Sequence, residues 1–118
     1  MSSTITPAVR AAIEAAVGAA NAFSDAEKAA DYGHDEFSLQ EIAHAPDLVV
    51  RPGTTEEVAA VLRLANAHVI PVTPRGGATG LCGGCVPVRG GIVLSLERMD
   101  RVLEIDADNQ MAVTEAGV

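Results

Sequence analysis

The chain has no tryptophan, one tyrosine (Tyr32) and two phenylalanines (Phe23 and Phe37), so aromatics are 3% of its 118 residues. A core without large rings has to be built from Ala, Val, Ile and Leu, within the 48% of the chain that is hydrophobic. Length alone excludes two full domains, and the thin core points to a truncated one. Basic residues are also few, eight against sixteen acids, for a net charge of -8. Such a field repels polyphosphate chains, and nucleic acid is excluded as a partner. No run reaches the roughly 18 apolar residues of a membrane span, and the N-terminus lacks the basic stretch and apolar core of a signal peptide. The expectation is a soluble, cytoplasmic chain. Only two cysteines occur, Cys82 and Cys85, too close together to cross-link a fold.

The charge is uneven. Residues 1–50 hold eight acids and two bases, whereas residues 51–118 hold eight acids and six arginines. Thr6 before Pro7 marks a helix start, and Val9, Ile13, Ala16, Val17, Ala20 and Phe23 then fall on one helical face. Ser24 with Glu27, and more weakly Ser38 with Glu41, have capping-box spacing, the former opening a short helix that ends before Gly33. Residues 1–45 therefore read as a helical, solvated lead with no catalytic constellation. From Pro46 the pattern changes. Leu48 to Val50 is β-rich, Thr54 with Glu57 caps a helix that ends near His68, and Val69 to Thr73 is the next strand. This is a βαβ unit with parallel strands and a right-handed crossover. Strands at Ile92 to Leu96, Val102 to Ile105 and Met111 to Glu115 follow, with a turn over Asp106 to Asn109.

Seven of the eleven glycines lie between residues 76 and 91, directly after a strand, where α/β folds place ligand loops. Glycines there let successive backbone N–H groups converge on an anion, phosphate above all. Thr79 adds a hydroxyl donor and Arg75 a charge. The Walker pattern fails for want of Gly-Lys-Ser or Gly-Lys-Thr, and G-x-G-x-x-G spacing occurs nowhere in the loop. A turn serving chain reversal alone stays open as the plainer reading.

The stretches PDLVVRPGTTEEVAAVLRLANAH and IPVTPRGGATGLCGGCVPVRGGIVLSLERMDRVLEIDADNQMAVTEAGV resemble the N-terminal half of the FAD-binding domain in the FAD-linked oxidase family related to vanillyl-alcohol oxidase. The D-lactate dehydrogenase and glycolate oxidase FAD-subunit branch is the most similar. The resemblance implies an α/β (α+β) fold, a small mixed sheet with a βαβ unit behind a helical lead. It divides the chain into a lead (1–45) and an incomplete first subdomain (46–118). It implies FAD as cofactor, with Arg75, Gly76, Gly77, Ala78, Thr79 and Gly80 around the pyrophosphate, Gly83 and Gly84 completing the turn, and Ser95, Met99 and Gly117 bordering the cofactor. It implies oxidation of a 2-hydroxy acid such as D-lactate or glycolate to the 2-oxo acid, with catalytic residues in the rest of the parent polypeptide or another subunit. The chain by itself is then an inactive N-terminal fragment with part of its sheet bare, open to self-association. No residue here is a general base for the reaction.

Three positions depart from the family pattern. Ala78 stands where Gly or Asn is usual, Cys82 where Ser or Ala is common, and Val69 where a helix-ending Gly is frequent. A β-branched residue in a left-handed cap is strained, so the cap is built differently or the strand begins early. Cys82 and Cys85 form a C-x-x-C, but no helix follows to stabilise a thiolate and no further ligands complete a zinc site. His34, His44 and His68 lack metal-pair spacing. A thiol redox or metal module, and a non-catalytic α/β scaffold, remain the alternatives to a flavin loop.

Overall fold

The computed structural model describes residues 5–36 and 42–118. Helix α1 spans Pro7–Val17, with Thr6 Oγ1 accepting from Val9 N at 3.3 Å and proline in the first turn. It ends at Gly18, whose φ of 92° is closed to other residues, and Asn21 Nδ2 then donates to Val17 O at 2.9 Å. Ala20, expected on the helical face, therefore lies in a 3-10 turn (Ala19–Asn21), and Phe23 in the short strand β1 (Ala22–Phe23). Helix α2 (Ala26–Ala29) runs into a 3-10 turn over Ala30–Tyr32. Its cap is Asp25 rather than Ser24, because Asp25 Oδ1 accepts from Glu27 N at 2.9 Å while Ser24 Oγ accepts from Arg10 Nη1 at 2.6 Å. The expected Ser38–Glu41 signal falls outside the described residues.

Strand β2 (Leu48–Val50) leads into helix α3 (Thr55–Ala67), whose Thr54 and Glu57 form the expected capping box, and then into strand β3 (Val72–Arg75). Strand β4 is Ile92–Ser95. The sheet order is β1-β2-β4-β3, with β2, β4 and β3 parallel and β1 antiparallel at the edge. The strands of the βαβ unit are thus parallel as expected, but β4 lies between them. Its position accounts for its composition: Ile92, Val93 and Leu94 are all buried, as are Leu48, Val49 and Val50 beside them, the pattern of strands covered on both faces. Leu48, Val50, Ile92 and Leu94 share one core with Val9, Ile13 and Val17 of α1 and Val61 and Ala65 of α3. The N-terminal helix is therefore core rather than solvated layer. At about 25 cal/mol per Å², these aliphatic side chains are what stabilise a chain so poor in rings.

Strand β3 starts three residues later than expected because α3 closes through a Schellman motif. Ile70 N donates to Ala65 O at 2.9 Å and Val69 N to Asn66 O at 3.4 Å. Val69 occupies the left-handed position at φ 53°. The cap is built in the ordinary way and a β-branched residue bears the strain. Val69 is 81% exposed, so its side chain contributes little packing. Val69→Gly is expected to raise stability by about 1 kcal/mol. A urea midpoint that falls or stays unchanged contradicts this.

Strands β5 (Val102–Asp106) and β6 (Met111–Thr114) form a separate antiparallel hairpin, with a bulge between Val102 and Glu104. Asp106 Oδ1 accepts from Asn109 N at 3.1 Å within the turn, and Gln110 follows at φ 55°. Arg101 Nε pairs with Glu115 Oε1 at 2.7 Å at the open end. The Asn109 side chain holds Asp106 below the usual carboxylate range, and Arg101 does the same for Glu115. Both contributions are present above the ordinary carboxylate pKa and are lost as pH falls through the lowered one. Leu103, Ile105, Met111 and Val113 are exposed on this hairpin, whereas the central strands of the main sheet are covered.

Candidate functional site

The three parallel strands end on one side of the sheet, where open α/β sheets bind ligands. There β3 runs into Gly76 and Gly77, and β4 into Leu96 and Glu97. A recess of 370 Å³ opens at these ends, lined by Asp31, Tyr32, Arg75, Gly76, Gly77, Ser95, Glu97 and Gly117. It brings together five residues expected at the site: Arg75, Gly76, Gly77, Ser95 and Gly117. Ala78, Thr79, Gly80, Gly83 and Gly84 continue along the loop away from its wall. Met99 does not line it either; its side chain is 8% exposed, and its carbonyl accepts from Gly117 N at 2.9 Å.

The loop is unusual for what it leaves unused. Among the described residues, no backbone N–H from Gly76 to Cys82 donates an internal hydrogen bond. Unspent donors in series are what an anion nest needs. The glycines divide into two groups. Gly83 has a structural reason, since it stands at φ 76° and a Cβ there meets Ile42 Cδ1 at 3.0 Å. Gly91 (φ 73°) has another, since a Cβ there meets Pro71 O at 2.3 Å. At Gly80 and Gly84, by contrast, φ is not positive and a Cβ meets nothing within 4 Å; at Gly77 it makes only an ordinary contact at 3.9 Å. The protein itself makes no use of the missing side chains at these three positions. These are positions at which a ligand can approach the backbone closely. The loop therefore fits a pyrophosphate. Ala78 sits within it at φ 58°, the left-handed conformation that its departure from Gly or Asn made unfavourable.

Arg75 is buried at 9% exposure, and its guanidinium faces the backbone of residues 31–34 and, at 3.8 Å from Nη1, Cys85 Sγ of the loop. Nη1 donates to His34 O at 2.6 Å and Nη2 to Asp31 O at 2.7 Å, and the guanidinium lies 5.4 Å from the Tyr32 ring centroid. It clamps residues 31–34 against the sheet and offers the recess its charge rather than a direct pair.

Reading the sequence did not place Asp31, Tyr32 or Glu97 at this wall. Tyr32 OH donates to Glu97 Oε1 at 2.6 Å, and Glu97 lies 3.7 Å from Arg51 Nη1. Tyr32 and Asp31 also line a second recess of 300 Å³ beside Phe23, Lys28 and Arg51. The one available signal was that Tyr32 is the only tyrosine. Burial first, and then the hydrogen bond to the Glu97 carboxylate, push its pKa up to about 12. A raised phenol pKa contributes stability that is whole below the unfolded value near 10 and is lost as pH rises toward 12. Absorbance titration of tyrosinate, read from this single group, is expected to give a midpoint near 12, moved part of the way back toward 10 by Glu97→Gln. A wild-type midpoint at 10 excludes the pairing.

Among the described residues, no cluster of three or more His, Cys, Asp or Glu is placed to hold a metal ion, and no helix is long and apolar enough to cross a membrane.

A loop of unspent N–H donors at the carboxyl ends of parallel strands defines a domain that binds a phosphate-bearing cofactor. Residues 46–118 match the family described as FAD binding domain, and the chain belongs to it. It is 43% identical over 102 residues to an uncharacterized FAD-linked oxidoreductase of Mycobacterium tuberculosis, covering 86% of this chain and 22% of the relative. It is 56% identical over 71 residues to a D-lactate dehydrogenase of Archaeoglobus fulgidus, covering 60% of this chain and 16% of the relative. Among solved structures, p-cresol methylhydroxylase with substrate bound superposes at a TM-score of 0.82 with 27% identity, over 100% of this chain and 24% of that one. The chain spans about a fifth of the length of these proteins. FAD is the cofactor of this family, and the mixed α/β architecture is that of its vanillyl-alcohol oxidase-type members.

Proposed function

We propose that residues 76–84 hold the FAD pyrophosphate, as the first half of the cofactor site of a flavin-dependent oxidoreductase that converts a 2-hydroxy acid such as D-lactate or glycolate to the 2-oxo acid. The observation that carries this reading is the glycine-rich loop at the strand ends whose N–H groups and open Cβ positions the fold itself leaves unused. The similarity to a D-lactate dehydrogenase supports the substrate class. Gly76, Gly77, Ala78, Thr79 and Gly80 direct backbone donors at the phosphates, Gly83 and Gly84 close the loop, and Ser95, Met99 and Gly117 form or back the wall beneath the cofactor. When bound, FAD supplies a two-electron acceptor for removal of a hydride from the carbinol carbon. This chain's part is to bind and orient it. The proton-transfer groups and the remaining cofactor contacts come from the rest of the polypeptide or another subunit. Residues 1–45 serve as lead and residues 46–118 as first subdomain of that larger domain.

The test is Gly80→Asp in the full-length protein. The new side chain enters open space, so folding is unaffected, but it places a carboxylate where phosphate is to be held. FAD affinity is expected to fall by at least about tenfold, equivalent to about 1.4 kcal/mol, with an unchanged circular dichroism spectrum. Undiminished flavin loading removes the loop from the cofactor site.

A further inference from the structure

The two thiols of the C-x-x-C have no part in that reading. Cys82 is exposed, Cys85 is half-buried, and both are free thiols. The chain bends at Leu81, Cys82 and Gly83, and a turn over 83–86 follows, closed by Val86 N donating to Gly83 O at 3.1 Å. A disulfide needs Cα atoms within about 7 Å, a separation that a C-x-x-C segment reaches when it closes into a β-turn. Within the spacer, Gly83 is held at φ 76° with its N–H donated to Asp35 Oδ2 at 2.7 Å, whereas a Cβ on Gly84 meets nothing within 4 Å. The two sulfurs have different neighbours. Cys82 carries one of the unspent N–H donors of the loop, whereas Cys85 Sγ lies 3.8 Å from Nη1 of Arg75, which clamps residues 31–34 and lines the recess.

We propose that Cys82 and Cys85 are a thiol–disulfide modification site that takes a low-molecular-weight disulfide as oxidant, and that the oxidised loop holds FAD less tightly. The exposed Cys82, as thiolate, attacks one sulfur of the small disulfide, forming a mixed disulfide and releasing one small thiolate. Cys85 then attacks Cys82 Sγ and releases the second. The protein loses two hydrogens, which leave as protons on the two small thiols formed, so the pair is oxidised by two electrons and the small disulfide reduced by two. Closure draws Cys85 away from Arg75 and fixes the backbone around the Cys82 donor. The disulfide stands independently of the proposed function; its effect on affinity rests on it.

The experiment treats full-length protein, stripped of flavin, with glutathione disulfide, then maps the 82–85 peptide by mass spectrometry and titrates FAD into the reduced and oxidised forms. The expected result is an intramolecular Cys82–Cys85 disulfide, reversed by dithiothreitol, with FAD affinity reduced at least about tenfold. In Cys85→Ser the reaction is expected to stop at one glutathione on Cys82. Two persistent free thiols, or a stable mixed disulfide in the wild-type protein, overturn the site. A disulfide that leaves FAD affinity unchanged overturns the coupling. Failure of the reduced protein to bind FAD overturns the proposed function and leaves the disulfide result standing.

Discussion

Gly117→Ala is expected to cost about 3 kcal/mol of stability, a large part of the 5–15 kcal/mol that a small domain possesses. A Cβ at this position falls 1.8 Å from Leu96 O, 2.6 Å from Leu96 C and 2.9 Å from Met99 O. All three atoms are backbone, so no side-chain rotation relieves the overlap and the turn after β4 has to move. That turn is already bonded, Met99 N to Leu96 O and Gly117 N to Met99 O, each at 2.9 Å. Urea unfolding measures the loss, and a midpoint equal to wild type refutes the close approach. Because Gly117 also lines the recess, a weaker FAD affinity in this variant does not by itself separate a cofactor contact from a shifted turn. Gly80→Asp, where space is open, separates the two effects.

Arg75→Ala is expected to destabilise by about 3 kcal/mol. The substitution removes two charge-assisted hydrogen bonds and leaves the carbonyls of Asp31 and His34 without those donors. It also removes a cation from the face of Tyr32. Arg75→Lys is expected to recover less than half, because one ammonium cannot replace a planar fork that reaches two carbonyls. Faster amide hydrogen exchange across residues 31–36 is the local signature. An unchanged exchange pattern in Arg75→Ala shows that the clamp is not needed. Loss of FAD in this variant follows from loosening one wall of the recess and is not by itself evidence of a phosphate contact.

Much of the fold was legible because its signals are local. Thr6 with Pro7, and Thr54 with Glu57, mark helix starts by side chains that bond backbone three residues on, and both start where expected. The fully apolar triplets 48–50 and 92–94 mark strands covered on both faces. The failures came where a nearby alternative of equal chemistry won. Asp25 took the cap that Ser24 also fits, since Ser24 is held by Arg10 from α1, a partner that no local pattern shows. The insertion of β4 between β2 and β3 is likewise a long-range outcome, set by which strand can be buried on both sides.

At the site, the loop glycines were visible as a cluster, but the cluster hid two kinds of position. Sequence cannot separate Gly91, pressed against Pro71, from Gly80, pressed against nothing. Asp31, Tyr32 and Glu97 were missed because the first two reach the recess from the N-terminal lead and the third from the end of β4; only the folded chain places them opposite Gly76 and Gly77. Arg75 was legible as a charge at a strand end, but its carbonyl partners lie 41 and 44 residues away.

The place of β4 in the sheet bears on the order in which the chain is made. During synthesis β2, α3 and β3 emerge first, with their helix able to form on contacts close in sequence. The two strands cannot complete the sheet, because the strand that joins them is still to come. Until about residue 95 is clear of the ribosome, both carry open edges, and the aliphatic faces of α1 and α3 lack the floor they pack on. When β4 arrives it enters a slot with a partner on each side and completes sheet and core together, leaving the glycine loop as the connection drawn across the strand ends.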